Sequence, residues 1–208
     1  DRIESRGLGD VYKRQDMPVE LIVGLGNPGP AYERTRHNVG AELVLNLANS
    51  HSAKFKHETK FFGDTTNIFL DGKSIRLLIP STFMNLSGKS IGALAGFYQI
   101  PIECILVVHD ELDLNPGVAR FKKGGGHGGH NGLRDTIKCL GNSRDFARLR
   151  IGIGHPGNAG QVVDYVLKKA TPSEQELINI SIDDSMRALP LALSGQWERA
   201  MTKLHSTD

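Results

Sequence analysis

Between Gly124 and Gly132 the chain reads Gly-Gly-Gly-His-Gly-Gly-His-Asn-Gly, and six of these nine residues are glycine. Each glycine inside a regular element costs roughly 0.5–1 kcal/mol relative to alanine. The stretch is therefore excluded from any core helix or strand. It reads as a loop whose backbone comes close to something, carrying two imidazoles (His127, His130) and one amide (Asn131). Arg120, Lys122 and Lys123 precede it and Arg134 follows it. A donor-rich loop framed by cations suits a phosphate-bearing ligand. The bland alternative is a surface linker, and the well-patterned segments on either side favour the ligand.

Those segments alternate in type. Residues 19–25 form an apolar run of buried-strand kind, broken by Gly26-Asn-Pro-Gly-Pro30. Val39, Leu43 and Leu47 recur at helical spacing, so a helix is predicted over 38–50. Asp71-Gly72 between 61–70 and 73–79 is a strong hairpin signal. A helix capped near Ser87 runs to about Gln99, followed by strands over 103–109 and 118–123. After the glycine loop come a short helix over 132–140 and a strand over 146–153. Helices are then expected over 160–168, 173–186 and 188–204, the second opened by Thr171-Pro-Ser-Glu. Strands alternating with helices predict a single α/β domain, and the hairpin makes its central twisted sheet mixed, with helices flanking it.

Bulk properties agree. The 208 residues are 39% hydrophobic and 23% charged, which suits one soluble domain with a sizeable core. No apolar run approaches the roughly 18 residues that span a bilayer, and no signal peptide is recognisable. Two cysteines, Cys104 and Cys139, make no disulfide framework, so a cytoplasmic location is expected. Residues 1–16 lack hydrophobic period and read as a non-native extension, with the domain taken as 17–208. Charge is uneven. From Pro116 to Arg150 eight Lys/Arg face two acids, and from Thr171 to Glu198 five acids face one Arg. That pattern suggests one face built for a polyanion.

Several familiar motifs fail. Gly24-Leu-Gly-Asn-Pro-Gly29 follows a strand as a dinucleotide-binding turn would. However, Pro28 and Pro30 remove N–H groups from the turn, and the acidic residue expected about 20 positions on is missing. A tight turn presenting Asn27 is the better reading. Gly88-Lys-Ser90 lacks the first glycine of a phosphate loop, since position 83 is Phe. The one Gly-x-Ser-x-Gly spacing, Gly88-Lys-Ser-Ile-Gly92, falls inside the predicted helix rather than at a strand-to-helix turn and so makes no nucleophile elbow, and no Cys-x-x-Cys occurs. His109, Asp110, His127, His130 and His155 are metal-ligand types, but a glycine loop is a poor scaffold for ligands, and no metal is predicted.

Two polar residues stand where chemistry is usually built. His37, in Thr35-Arg-His-Asn38, falls where loop becomes helix, and the helix dipole there is expected to lower its pKa and keep it neutral as a general base. Asp110 ends a buried strand, where α/β folds place sites, and could fix the tautomer of an imidazole. With Asn27, Asn85 and Asn131, each beside Gly, Pro or a cap signal, these residues suggest a His–Asp–amide site.

Six ordered motifs carry a resemblance. They are Gly24-Leu-Gly-Asn-Pro-Gly, Thr35-Arg-His-Asn, Phe83-Met-Asn-Leu-Ser-Gly-Lys, His109-Asp-Glu-Leu-Asp, the glycine loop, and Arg148-Leu-Arg-Ile-Gly-Ile-Gly-His-Pro-Gly. Over essentially Met17 to the C-terminus the chain resembles the bacterial peptidyl-tRNA hydrolase family. The resemblance implies a monomeric, cytoplasmic α/β enzyme with no metal or cofactor. Its partner would be peptidyl-tRNA, whose peptide–ribose ester it would cleave to recycle tRNA. His37 would be the general base, Asp110 its orienting carboxylate, and Asn27 the amide that senses a blocked amino end. Asn85 and Asn131 would position substrate and water, Tyr32 and Phe83 would line the substrate site, and Lys122 and Arg150 would clamp the tRNA 5′-phosphate. Lys123, Arg134 and Arg148 are further expected phosphate contacts. The visible departures are the N-terminal extension and Arg120 where the family has Lys. Competing readings are a non-catalytic RNA-binding relative of the same fold and a metal-dependent hydrolase.

Overall fold

The computed structural model describes residues 17–205; the proposed extension at 1–16 lies outside them. Seven strands form one mixed sheet in the order β2-β3-β4-β1-β5-β7-β6. In chain order they are β1 (Leu21–Gly24), β2 (Lys56–Glu58), β3 (Gly63–Leu70), β4 (Lys73–Pro80), β5 (Ile105–Glu111), β6 (Ala119–Lys123) and β7 (Ala147–Gly152). The four central strands β4, β1, β5 and β7 run parallel, while β2, β3 and β6 pair antiparallel at the edges. The helices are α1 (Val39–Ser50), α2 (Ser87–Phe97), α3 (Asn131–Cys139), α4 (Val162–Val166), α5 (Pro172–Leu193) and α6 (Trp197–His205).

Central parallel strands are covered on both faces, which is why β1 and β5 read as unbroken apolar runs rather than alternating ones. Ile22, Leu106 and Val108 point into a core shared with α1, α5 and α6. Leu21, Val23, Ile105 and Val107 point the other way, into a core with α2 and α3. Two glycines let α1 lie directly on the sheet. A Cβ on Gly40 would stand 2.1 Å from the Val108 carbonyl oxygen, and one on Gly24 would stand 2.6 Å from the Gly40 carbonyl oxygen. Gly24 and Gly26 of the Gly24–Gly29 motif thus serve contact with α1 and the turn before it, while Gly29 stands at φ 97° with open space around it. This contact seats the start of α1 over the carboxyl end of β5.

The hairpin forms as expected, with Leu70 opposite Lys73 and positive φ at both Asp71 (49°) and Gly72 (75°). Other boundaries move. β3 starts at Gly63, because Thr59–Phe61 is a 3₁₀ turn closed by left-handed Phe62. Ser87 does not cap α2; its hydroxyl donates back to the Met84 carbonyl, and Leu86 holds the cap position. Ile102–Cys104 is a 3₁₀ turn, so β5 begins later and extends to Glu111, carrying Asp110 inside the strand. The 160–168 segment is a 3₁₀ turn, Ala159–Gln161, followed by the short α4. No break occurs near Arg187. Ile178, Ile182, Ser185, Leu189 and Ala192 continue one buried face through Pro190, and the helix ends only at Leu193, before Gly195 at φ 84°. A proline this close to the helix end costs a single backbone hydrogen bond. The edge strand β2, three largely exposed residues, has no apolar pattern by which to predict it.

Candidate active site

Asn27 follows the carboxyl end of β1, and its backbone is held on both sides by one side chain. The Asn38 carboxamide accepts from the Asn27 N–H at 2.8 Å and donates to the Asn27 carbonyl at 2.9 Å. Asn27 Oδ1 in turn accepts from the Met84 N–H at 2.7 Å. With its oxygen engaged, Asn27 has its amide NH₂ left to offer a ligand.

His37 lies in the 3₁₀ turn Arg36–Asn38 just before α1. Its Nδ1 meets Asp110 Oδ2 at 2.9 Å across 73 positions of sequence. The other Asp110 oxygen, Oδ1, lies 2.7 Å from His130 Nε2. His130 Nδ1 accepts from the N–H groups of Gly132 and Leu133, capping α3. Those two donors leave the His130 proton on Nε2, where it donates to Asp110. Burial alone would raise the Asp110 carboxyl, but the two imidazoles and their hydrogen bonds hold it well below the usual carboxylate range. An ionised Asp110 accepts from His37 Nδ1–H, and Nε2 of a neutral His37 then carries the lone pair.

Burial pushes the His37 imidazole down, yet the Asp110 charge and hydrogen bond outweigh it, and its pKa stands above the ordinary value. This corrects the expectation of a lowered pKa. A full carboxylate charge in contact acts more strongly than the partial charge of a helix end. Behind the pair lies His109, which donates from Nδ1 to the Asp110 carbonyl at 2.8 Å and packs its ring against His130. Burial first, then the electrostatic influence of the neighbouring His130, push His109 down to about 3, so it is a neutral prop at neutral pH.

These groups open into a cleft of about 720 Å³ that Asn27, Tyr32, His37, Phe83, Asn85, Asp110 and Asn131 all line. Tyr32 and Phe83 meet edge to face at 6.1 Å on one wall, and Val163 and Leu167, in and just after α4, supply apolar surface. Among the described residues lining the cleft there is no Ser, Thr or Cys. A second hollow of about 770 Å³ lies against α1 and α5, lined by Glu33, Glu42, Asn46, Lys169 and Asn179 among others, and lacks the convergent imidazoles.

His37, Asp110 and His130 offer ligand atoms within 4.8 Å of one another, a spacing a metal could use. The tautomer of His130 opposes it. A metal at Nε2 would drive the proton onto Nδ1, against two backbone N–H donors.

Lys122 and Arg150 sit apart from the cleft, on one face of the β6–β7 pair. There Lys122 opposes Arg148 and Arg120 opposes Arg150, four cations in a block. Lys122 is exposed. Arg150 donates from Nε to Glu111 Oε1 at 2.8 Å, and Glu111 itself borders the cleft. Arg148 does not face solvent as expected. It is buried and donates to the carbonyls of Gly125 and Gly126, tying down the first half of the glycine loop. Alternation in Arg-Leu-Arg-Ile put both arginines on one face but could not show that a loop covers one of them. Arg134 donates to Asn131 Oδ1 at 3.0 Å. From the sequence, Asn38 and Glu111 carry no site role, and His130 figures only as an imidazole of the glycine loop and a metal-ligand type, not as a partner of Asp110. Only the position of His130 immediately before a helix hinted at a capping role, and histidine is not among the usual caps.

A buried His–Asp pair beside side-chain amides, in a cleft whose described lining has no Ser, Thr or Cys, fits the class of α/β hydrolases. The chain belongs to the peptidyl-tRNA hydrolase family, whose sequence profile, described as "Peptidyl-tRNA hydrolase", matches residues 21–208. It is 59% identical over 190 residues to the peptidyl-tRNA hydrolase of Vibrio campbellii, covering 91% of this chain and 97% of that one. The corresponding protein of Tolumonas auensis is 57% identical over 190 residues, covering 91% and 96%. The crystal structure of peptidyl-tRNA hydrolase from Acinetobacter baumannii superposes with a TM-score of 0.87 at 48% identity, over 89% of this chain and 94% of that one.

Proposed function

We propose that this chain hydrolyses the ester joining a peptide, or an N-blocked aminoacyl group, to the 3′ ribose of tRNA, and so recycles tRNA from prematurely released peptidyl-tRNA. Family membership supports the substrate, and the His37–Asp110 contact at 2.9 Å carries the chemistry. His37 Nε2 takes a proton from water, and the hydroxide attacks the ester carbonyl. The Asn27 NH₂ stabilises the resulting oxyanion, a contribution of about 2.7–4 kcal/mol for one such donor. Collapse of the tetrahedral intermediate expels the ribose 3′ oxygen, which takes the proton back from the imidazolium. An ester with a ribose leaving group needs no covalent enzyme intermediate, in accord with a cleft lined by no Ser, Thr or Cys.

Tyr32, Phe83 and Val163 give peptides of any sequence an apolar wall. Asn85 and Asn131 hold the substrate and its water. Lys122 and Arg150 receive the 5′-phosphate, so binding of full-length tRNA is salt-sensitive. The reading assigns no cofactor or metal and a monomer in the cytoplasm, one chain supplying all the groups named. Among the described residues no helix is long and apolar enough to cross a membrane.

The deciding experiment is hydrolysis of N-blocked aminoacyl-tRNA by the purified chain, with and without a strong chelator. Turnover that survives the chelator is expected. Absence of turnover would favour the non-catalytic RNA-binding reading, and loss on chelation the metal-dependent one.

A further inference from the structure

The four-cation block poses a physical problem of its own. Like charges directly opposite on neighbouring strands destabilise the pair, and here both cross-strand pairs, Lys122–Arg148 and Arg120–Arg150, are like-charged. Burial first, and to a lesser degree the Arg150 charge, push Arg148 down to about 10. Arg148 is relieved by the Gly125 and Gly126 carbonyls. Arg150 has one anionic contact among the described residues, Glu111.

The geometry of that contact matters more than its charge. Glu111 is the last residue of β5, next to Asp110, and its carbonyl is fixed by the Ile153 N–H at 3.0 Å. Its Oε1 takes the Arg150 guanidinium at Nε, from the side. The two Nη groups form no hydrogen bond among the described residues and make up the fork that matches a phosphate. We propose that Glu111 is a positioning residue for the RNA: it fixes the plane of Arg150 so that the Nη fork faces an incoming phosphate, and it joins that contact to the strand bearing Asp110. Without it, a guanidinium repelled by Arg120 and Arg148 samples other rotamers, and tRNA binding loses the fork.

This inference rests on the peptidyl-tRNA reading above. Steady-state kinetics on two substrates test it: N-blocked aminoacyl-tRNA, and the same aminoacyl ester on a short 3′ oligonucleotide. The quantity read is the ratio of the two KM values. Glu111→Ala is expected to raise this ratio about three- to fivefold, the upper end of the scale for an ion pair near the surface. Glu111→Gln, whose Oε1 still accepts from Nε, retains the wild-type ratio. Added to Arg150→Ala, Glu111→Ala has no further effect. Thermal melting verifies that each variant is folded. A ratio unchanged or lowered in Glu111→Ala would overturn the inference, the carboxylate then being idle or a mere competitor of the phosphate. Equal losses in Glu111→Gln and Glu111→Ala would overturn it too. Failure of the wild-type chain to cleave the tRNA ester would instead overturn the functional reading on which it stands.

Discussion

The cleft and the cationic face solve different problems with opposite means. In the cleft Asp110, His130 and Asn27 are each held by several partners. Asp110 meets two imidazoles, His130 meets a carboxylate and two backbone donors, and Asn27 is gripped at its N–H, its carbonyl and its side-chain oxygen. On the cationic face Lys122 is exposed and Arg150 rests on a single carboxylate. Bond cleavage needs atoms placed within a fraction of an ångström, and burial supplies that rigidity. Phosphate recognition tolerates looser placement, because the attraction acts over a Debye length of about 8–10 Å. The two regions should therefore fail differently.

The largest effect is expected at the cleft. His37→Ala should lower kcat by about 10²- to 10⁴-fold, the usual range for a general base, while the affinity for uncharged tRNA stays within about twofold. Single-turnover kinetics and a filter-binding titration check both halves. A variant that cuts at the wild-type rate would strip His37 of the role.

A smaller effect sharpens the electrostatics. The Asp110 charge raises His37 against the pull of burial. The base must be neutral to work, so the wild-type rate should fall as pH drops through a point above the ordinary histidine value near 6.5. Asp110→Asn removes the raising influence and leaves burial, so the acidic limb should move to lower pH while the maximal rate drops. A limb that stays in place would confine Asp110 to packing.

The mildest effect belongs to the cationic face. Lys122→Ala with Arg150→Ala should raise KM for full-length tRNA about tenfold or more and flatten its dependence on salt, two phosphate contacts being lost. The short oligonucleotide ester should feel far less. Equal losses on both substrates would merge the two regions into one.

Much of this was legible in the chain because the signals were local. Val19–Leu25 announced a buried strand, Asp71-Gly72 a hairpin, and His37 and Asp110 each stood at the end of an element where an α/β fold opens. What stayed hidden depends on distant partners. His130 finds Asp110 across 20 positions, Arg150 finds Glu111 across 39, and Arg148 disappears beneath a loop 22 residues upstream. The displaced end of α5 has the same origin. Its boundary follows a face that stays buried from Ile178 through Leu193, past Arg187, where two separate helices were expected to meet.

His37 and Gly40 are three residues apart, so the approach of Gly40 to Val108 has a chemical consequence. A hydrogen atom, where every other residue carries carbon, lets the imidazole drop to touching distance of its acid. The reactive pair is thus gauged by an omission: a single absent methyl group, itself inert, fixes the gap across which the proton is steered.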